Sequence, residues 1–233
     1  MKKILSGIIM NLVNTIVERV HPYIPFTAWN TLWRNLDKRG QTILDLGCGG
    51  GAPMRFINRH KHFYCVGLDI YRPWLSDAKS HERHSDYVMC DIRKLPIEEK
   101  SFDIVLCLEA LEHLTKEEGR QLLKDMETIA RRQVIITTPV GKFPQHPALN
   151  DNPYEEHTSS WRPVEFGLYG YKVRGYGLPL FGGAHGLLAR LPEPLRSVRR
   201  VIWLLASTIS YFVPAVAGWM VCIKQIEHED NRG

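Results

Sequence analysis

The chain has 233 residues, of which 44% are hydrophobic, 24% charged and 10% aromatic. This length and composition predict a single globular domain and exclude a disordered, collagen-like or coiled-coil protein. The formal net charge of +5 is far from the concentrated positive charge of a dedicated nucleic-acid-binding protein, so we expect no nucleic-acid partner.

Residues 1–39 form the first segment, which we predict to be an amphipathic helical extension or lid. One apolar stripe contains Ile4, Leu5, Ile8, Ile9, Leu12, Val13, Ile16 and Val17, and polar residues occupy the opposite face. Lys2 and Lys3 before this stripe give it the look of a secretory signal, but no small-residue cleavage site follows. We expect the helix to pack on its own domain; the alternative is a face that rests on a membrane surface.

From residue 40 onward, short apolar runs alternate with helical stretches, which is typical of an α/β protein. The candidate strands are 42–47, 63–69, 86–91, 102–108, 133–139, 171–177 and 217–225, and the clearest helix runs from Lys116 to Arg132. The central runs are continuously apolar, which predicts strands covered on both faces and a mainly parallel sheet. We therefore expect a doubly wound α/β fold.

A glycine-rich turn follows the first predicted strand in the segment ILDLGCGGG, residues 43–51. Glycines at this point let the backbone turn sharply and approach a ligand closely. Gly47, Gly49 and Gly51 fit a G-x-G-x-G pattern, whereas Gly47, Gly49 and Ala52 fit the dinucleotide pattern G-x-G-x-x-A. Taken alone, the turn leaves both ligand classes open.

Three aspartates at the ends of successive predicted strands separate these classes. Asp45 lies where a ligand's cationic amino group could be held and a pyrophosphate would be repelled. Asp69 comes 20 residues after Gly49, the spacing of a carboxylate that accepts ribose hydroxyls. Asp91 ends the third strand, where it could accept from an adenine amino group. The series favours a nucleoside without phosphates over a nicotinamide dinucleotide.

Residues 201–223 contain no charged residue, a length that could span a membrane. Pro214 and Gly218 interrupt the run, which favours a helix, a turn and a strand. Several arginines between residues 196 and 200 precede it, so a basic interfacial helix stays open. With the N-terminal stripe, this segment motivates the hypothesis of peripheral membrane contact.

The five cysteines, Cys48, Cys65, Cys90, Cys107 and Cys222, lie far apart along the chain. No C-x-x-C motif and no Cys or His pair at metal-ligand spacing occurs in the sequence. We therefore expect no metal and a reducing, cytoplasmic compartment.

Four segments, in order along the chain, resemble the motifs of class I S-adenosylmethionine-dependent methyltransferases, particularly the branch of quinone-biosynthesis and other small-molecule enzymes. ILDLGCGGG resembles the first motif of that family, and VGLDI at 66–70 its ribose-binding segment. CDIRKLP at 90–96 resembles the adenine-side segment, and SFDIVLCLEALEHL at 101–114 the fourth motif. The resemblance runs from about residue 40 to residue 139 and more weakly to residue 225.

This resemblance implies a Rossmann-like, three-layer α/β/α fold with seven strands in the order 3-2-1-4-5-7-6 and the last strand antiparallel. The methyltransferase domain would span 40–233, with a helical insertion at about 178–213. The implied cofactor is S-adenosyl-L-methionine, and its implied binding residues are Asp45, Gly47, Cys48, Gly49, Gly51, Asp69, Ile70, Asp91, Ile92, Leu108 and Glu109.

The implied activity is methyl transfer to a small-molecule or lipid-like acceptor. His113 and His157 are the candidate general bases if the acceptor is a hydroxyl, whereas an amine or a stabilised carbanion needs neither. Tyr154 and Trp161 are further candidates for the acceptor pocket. An RNA methyltransferase is disfavoured because LEAL at 108–111 differs from the tetrad of such enzymes. A non-catalytic module that binds the cofactor stays open.

Overall fold

Seven strands form one sheet in the computed structural model, which describes residues 23–142, 152–179 and 207–226. The strands are β1 (Thr42–Leu46), β2 (Tyr64–Asp69), β3 (Asp86–Met89), β4 (Phe102–Leu108), β5 (Ala130–Pro139), β6 (Lys172–Tyr176) and β7 (Trp219–Gln225). Their order is β3-β2-β1-β4-β5-β7-β6. Strands β1 to β5 pair in parallel, and β7 is antiparallel to both β5 and β6. The predicted fold and strand order are confirmed.

Helices cover both faces of this sheet. They are α1 (Ala28–Asn35), α2 (Met54–Ile57), α3 (Arg72–Ser80), α4 (Lys116–Ile129) and α5 (Pro163–Leu168). Alternate strand residues point to opposite faces. Leu44 and Val105 therefore join α4 in one core cluster, while Ile43 and Ile104 join α1 and α2 in the other.

The third strand differs from the expectation of strands covered on both faces. β3 lies at the edge of the sheet, and Met89 within it is 64% exposed. An edge strand has a neighbour on one side only, and the described elements leave most of its side chains in contact with solvent.

Helix α4 is shorter at its end than the sequence predicts. It starts with a capping box in which Thr115 and Glu118 satisfy each other's backbone amides. It stops at Ile129 rather than Arg132, because Ala130 is extended and pairs with Phe102 of β4. Strand β5 therefore begins three residues before the predicted start.

Two predicted segments lie outside the described residues. These are the N-terminal amphipathic helix and most of the insertion expected at about 178–213. Among the described residues, no helix has both the length and the apolar character that crossing a membrane requires.

Candidate active site

A cavity of about 240 Å³ opens at the carboxyl ends of β1 to β4. Parallel strands end at the same edge of a sheet, which brings residues from distant motifs together. The predicted site residues that line it are Gly47, Asp69, Ile70, Asp91, Ile92, Glu109 and His113. The residues predicted for the site but absent from the described lining are Asp45, Cys48, Gly49, Gly51, Leu108 and His157.

The glycine-rich turn after β1 needs glycine for its own geometry. Gly47 has a φ of +67°, a region that side chains disfavour. A Cβ atom on Gly47 would also stand 2.5 Å from the Cβ of Ala110. Gly51 has a φ of +69°, and a Cβ there would stand 2.6 Å from the Cβ of Arg83. The turn therefore closes tightly against the segment that follows β4 at Gly47 and against the loop before β3 at Gly51.

Asp69 connects this turn to the next helix. Its Oδ2 accepts a hydrogen bond from the Gly49 amide at 2.7 Å, and its Oδ1 accepts one from the Tyr71 amide at 2.7 Å. The side chain is only 6% exposed, and burial raises the pKa of its carboxyl against the lowering effect of the two amides. Each oxygen keeps a second lone pair for a ligand at the cavity.

Asp45 has a protein partner instead of a place in the cavity wall. Its Oδ2 lies 2.9 Å from Nε2 of His84, and both residues are buried. The sequence predicted a ligand's amino group beside this carboxylate, and the structure places an imidazole there. His84 escaped the sequence analysis because it is separated from Asp45 by 39 residues and belongs to no motif.

Asp91 and Arg93 form a two-pronged ion pair at the cavity. Arg93 Nε lies 2.9 Å from each carboxylate oxygen of Asp91, and a second guanidinium nitrogen lies 2.6 Å from Oδ2. These hydrogen bonds hold the pKa of Asp91 below its usual range. Arg93 also lines the cavity, so the wall here carries both charges.

The segment after β4 begins with a strained residue. Glu109 lines the cavity with a φ of +55°, uncommon for a residue with a side chain. Its amide donates to the Thr137 carbonyl at 2.9 Å, and Tyr176 Oη donates to its Oε1 at 3.2 Å. Contacts to two other strands thus hold the strained backbone at the site.

A 3₁₀ turn, Leu111–His113, follows and carries two titratable groups. Glu112 is buried, and Thr138 Oγ1 donates to its Oε2 at 3.0 Å. Burial, and then the charge of Glu109, raise the pKa of Glu112. Burial lowers the pKa of His113, whose Nδ1 lies 3.2 Å from the Glu156 carbonyl oxygen.

Residues 152–161, which we call the strap, cross this turn and bring His157 to it. The amides of Thr158 and Ser159 donate to the Glu112 carbonyl at 2.9 and 3.1 Å. The rings of His113 and His157 lie 5.0 Å apart, and burial, then His113, lower the pKa of His157. The two predicted bases therefore meet, although only His113 lines the cavity among the described residues.

The two other candidate pocket residues in the strap, Tyr154 and Trp161, lie in different environments. Tyr154 lines the cavity, as predicted for a pocket residue. Trp161 is fully buried in the core, where its ring packs against Phe166 and beneath the Lys116 ammonium, so its assignment to the acceptor pocket is wrong. Trp74 lines the cavity from α3 and was missed, because a single aromatic near a helix start carries no distinctive sequence signal.

Comparison with known proteins relates the central part of the chain to methyltransferases. Residues 44–137 match the methyltransferase domain family. The chain is 27% identical over 135 residues to a sterol 24-C-methyltransferase of Saccharomyces cerevisiae, covering 55% of this chain and 33% of that protein. It is 40% identical over 81 residues to a ubiquinone biosynthesis O-methyltransferase of Hahella chejuensis, covering 32% and 33%. The chain thus spans about a third of the length of these curated relatives.

Among solved structures, an S-adenosylmethionine-dependent methyltransferase from Archaeoglobus fulgidus shares the fold. Its TM-score is 0.54 at 18% identity, and the alignment covers 91% of this chain and 93% of that one. The strand order, the motif positions and the family match agree. Residues 44–137 therefore match the methyltransferase domain family, and the sheet that contains them has the fold of a class I S-adenosylmethionine-dependent methyltransferase.

Proposed function

We propose that this protein transfers the methyl group of S-adenosylmethionine to a small-molecule or lipid-like acceptor. The observation that carries the proposal is the single cavity lined by Gly47, Asp69, Ile92 and Glu109, one residue from each of four motifs. A nucleoside needs both hydrogen-bonding groups and apolar groups of the protein around it. These four segments supply both kinds of group to the same cavity.

The ribose is assigned to Asp69. A carboxylate with two free lone pairs can accept hydrogen bonds from both hydroxyls of a ribose. The Gly49 and Tyr71 amides fix its orientation before the ligand arrives. Such prior positioning lowers the entropy cost of binding.

The adenine is assigned to the apolar side chains of Ile70 and Ile92, with the ring of Trp74 at the same wall. Asp91 is the proposed acceptor for the exocyclic amine, in competition with Arg93, which already occupies its oxygens. The strength of the hydrogen bond between the adenine amine and Asp91 would therefore depend on how far Arg93 gives up the carboxylate.

The methionine part is assigned to the turn that contains Gly47, Cys48, Gly49 and Gly51, and to Leu108 and Glu109 at the end of β4. The tight approach of Gly47 to Ala110 supports a backbone-lined binding surface. We propose that Asp45 acts here through His84: their buried pair fixes the end of β1 from which the turn departs.

The methyl group of a sulfonium is already activated, so the protein mainly supplies proximity and in-line orientation. An acceptor hydroxyl must also lose its proton. We assign that proton to the neighbouring imidazoles, His113 at the cavity or His157 behind it. Burial keeps both rings neutral near pH 7 by lowering their pKa values, as a base requires.

The acceptor class rests on the relatives, whose names specify a sterol and ubiquinone biosynthesis. A protein encounters an apolar acceptor most readily at a membrane surface. We therefore propose that this protein is cytoplasmic and contacts the membrane peripherally. Ile209, Phe212, Val213 and Val216 expose apolar side chains near the end of the described chain. Vesicle flotation at low and high salt tests this, and absence of lipid association in both would contradict it.

Calorimetric titration with S-adenosylmethionine and S-adenosylhomocysteine tests the cofactor site, with NAD as a control ligand. Micromolar binding of the adenosyl ligands is expected, with Asp69→Asn weakening it by about tenfold or more. Asp86→Asn, at the exposed start of β3, is the matched control and should leave affinity unchanged. A folded protein that binds neither adenosyl ligand would contradict the proposal.

Turnover separates an enzyme from a module that only binds the cofactor. The protein is incubated with methyl-labelled S-adenosylmethionine and panels of phenols, sterols, amines and total RNA. Label transfer to a phenol or sterol supports the proposal. Transfer to RNA alone, or cofactor binding with no transfer to any panel, would contradict it.

A further inference from the structure

A group of three side chains, of which His113 lines the cavity, has the composition of a metal site. Glu112, His113 and His157 each offer one ligand atom, and these atoms lie within 4.8 Å of one another. We propose that these three residues bind one divalent transition-metal cation of the zinc type. Bonds of about 2.0–2.2 Å from one cation to each ligand would draw these three atoms closer together.

The hydrogen bond of His113 presents the ring for metal binding. A carbonyl oxygen only accepts, so Nδ1, which contacts the Glu156 carbonyl, carries the proton. In the neutral ring, Nε2 then holds the free lone pair. Metal-binding histidines commonly have this pattern, in which one nitrogen donates to a carbonyl and the other binds the cation.

The strap holds His157 at its place before any cation arrives. Besides the two amide contacts to Glu112, Thr158 Oγ1 donates to the His113 carbonyl at 3.0 Å. Thr158, the residue directly after His157, thus donates hydrogen bonds to the backbone carbonyls of both Glu112 and His113. Ordered ligands lower the entropy cost of forming the site.

Glu112 supplies the negative charge. A buried carboxylate is costly unless it is paired with a cation. Thr138 Oγ1 orients this carboxylate at 3.0 Å, but a hydroxyl brings no positive charge. A metal ion beside Glu112 would provide that charge, and Thr138 would be the outer partner that fixes the ligand's direction.

The set of two imidazoles and one carboxylate favours zinc and its neighbours over magnesium or calcium, which prefer oxygen ligands. Three protein ligands leave one position for water or for an oxygen of a substrate. His113 borders the cavity, so a cation bound by this residue would lie beside the proposed cofactor site. This catalytic consequence rests on the proposed function, whereas cation binding itself does not.

A bound cation changes the fate of the acceptor proton. In the metal-free protein an imidazole takes the proton, as proposed above. With a cation bound, the lone pairs of His113 and His157 would be occupied; the ion would supply Lewis acidity to an acceptor hydroxyl, whose proton would leave to solvent. The sequence predicted no metal because no Cys or His pair has metal-ligand spacing, and His157 follows His113 by 44 residues.

The test uses the full chain after chelator treatment. Calorimetric titration with Zn²⁺ should show one strong site per chain. His113→Gln and His157→Ala should each weaken that binding by about 100-fold or more, and Thr138→Val by about tenfold. His81→Ala, a change to an exposed histidine, is the matched control and should leave it unchanged. Circular dichroism checks that each variant folds.

Absorption of the Co²⁺ form gives a second readout on the unaltered protein. Imidazole and carboxylate ligation gives weak d–d bands, whereas strong thiolate charge-transfer bands would place the cation on cysteine and overturn the proposal. Absence of a one-equivalent site, or a Zn²⁺ affinity in both histidine variants equal to that of the unaltered protein, would also overturn it. S-adenosylmethionine titration of the chelated protein reports separately on the proposed function.

Discussion

His84 Nε2 lies 2.9 Å from a carboxylate oxygen of Asp45, with the two side chains 0% and 2% exposed. The pair joins the loop before β3 to the middle of the sheet, next to the strand end that leads into the glycine-rich turn. A buried, hydrogen-bonded polar pair contributes little net stability, but removal of one partner leaves the other unpaired in a desolvated place.

We therefore predict that His84→Phe and Asp45→Leu each lower the free energy of unfolding by about 3 kcal/mol. The double variant should be more stable than the sum of the two losses implies, by about 1 kcal/mol or more, because it removes both polar groups. Urea unfolding of the four proteins without ligand measures this coupling. Strict additivity would show that the two side chains do not depend on each other.

Gly119 in α4 provides a test of helix packing. Glycine to alanine usually stabilises a helix by about 0.5–1 kcal/mol. A Cβ at Gly119, however, would stand 2.5 Å from Cζ2 of the buried Trp161. We predict that Gly119→Ala destabilises the protein by about 1–3 kcal/mol, measured by thermal unfolding.

Gly167 in α5 is the matched control for this change. A Cβ there has no heavy atom of the described residues within 4 Å, so Gly167→Ala should be neutral or stabilising. Equal effects of the two substitutions would mean that Trp161 yields to the added methyl group, contrary to the prediction.

Protonation of Asp103 should cause part of the loss of folding stability at low pH. Burial raises the pKa of its carboxyl, but hydrogen bonds from Arg131 and from the Gln41 and Thr42 amides outweigh this and lower the pKa to about 2. The usual value of 3.8 applies to the unfolded chain. The stabilisation is thus present above pH 3.8 and is lost as the pH falls through about 2.

Asp103→Asn should therefore cost about 2 kcal/mol at pH 7, and the difference from the unaltered protein should shrink between about pH 4 and pH 2. Denaturant unfolding at several pH values measures it. Asp86→Asn, at an exposed position, serves as control and should show a much smaller pH-dependent difference. A loss at Asp103→Asn that stays constant with pH would assign the effect to shape rather than charge.

The strand positions could be predicted from sequence because each depends on a local signal. Continuous apolar runs gave β1, β2 and β4 within one residue at each end, and the glycines located the turn after β1. The start of β5 escaped prediction, because Ala130 leaves the helix only to pair with Phe102 across the sheet. That competition is tertiary and has no local pattern.

The site shows the same limit. Motif spacing placed Asp69 and Ile92 at one cavity, since strand ends in a parallel sheet share an edge. The contacts of Asp45 with His84, and of His113 with His157, cross 39 and 44 residues and depend on how loops dock. Single-sequence reasoning has no physical rule that sets such loop contacts.

Alanine substitutions at Gly47 and Gly141 distinguish backbone strain from steric contact at the proposed cofactor site. Both Gly47 and Gly141 have a φ near +70°, so an alanine at either one adds a similar strain of about 1 kcal/mol. A Cβ on Gly47 meets Ala110 at 2.5 Å, whereas a Cβ on Gly141 has no neighbour within 4 Å among the residues that the structure describes. Gly141→Ala therefore reports the strain alone.

We predict that Gly47→Ala displaces the turn after β1 and weakens S-adenosylmethionine binding by about 100-fold, because the turn and the Asp69 carboxylate are hydrogen-bonded through Gly49. Gly141→Ala should lower stability slightly and leave the cofactor affinity unchanged. Calorimetry on both variants, with unfolding curves to confirm folded samples, measures the two effects. If the Gly47 variant is folded and binds normally, the cofactor does not depend on this turn and its assignment to the methionine part is wrong.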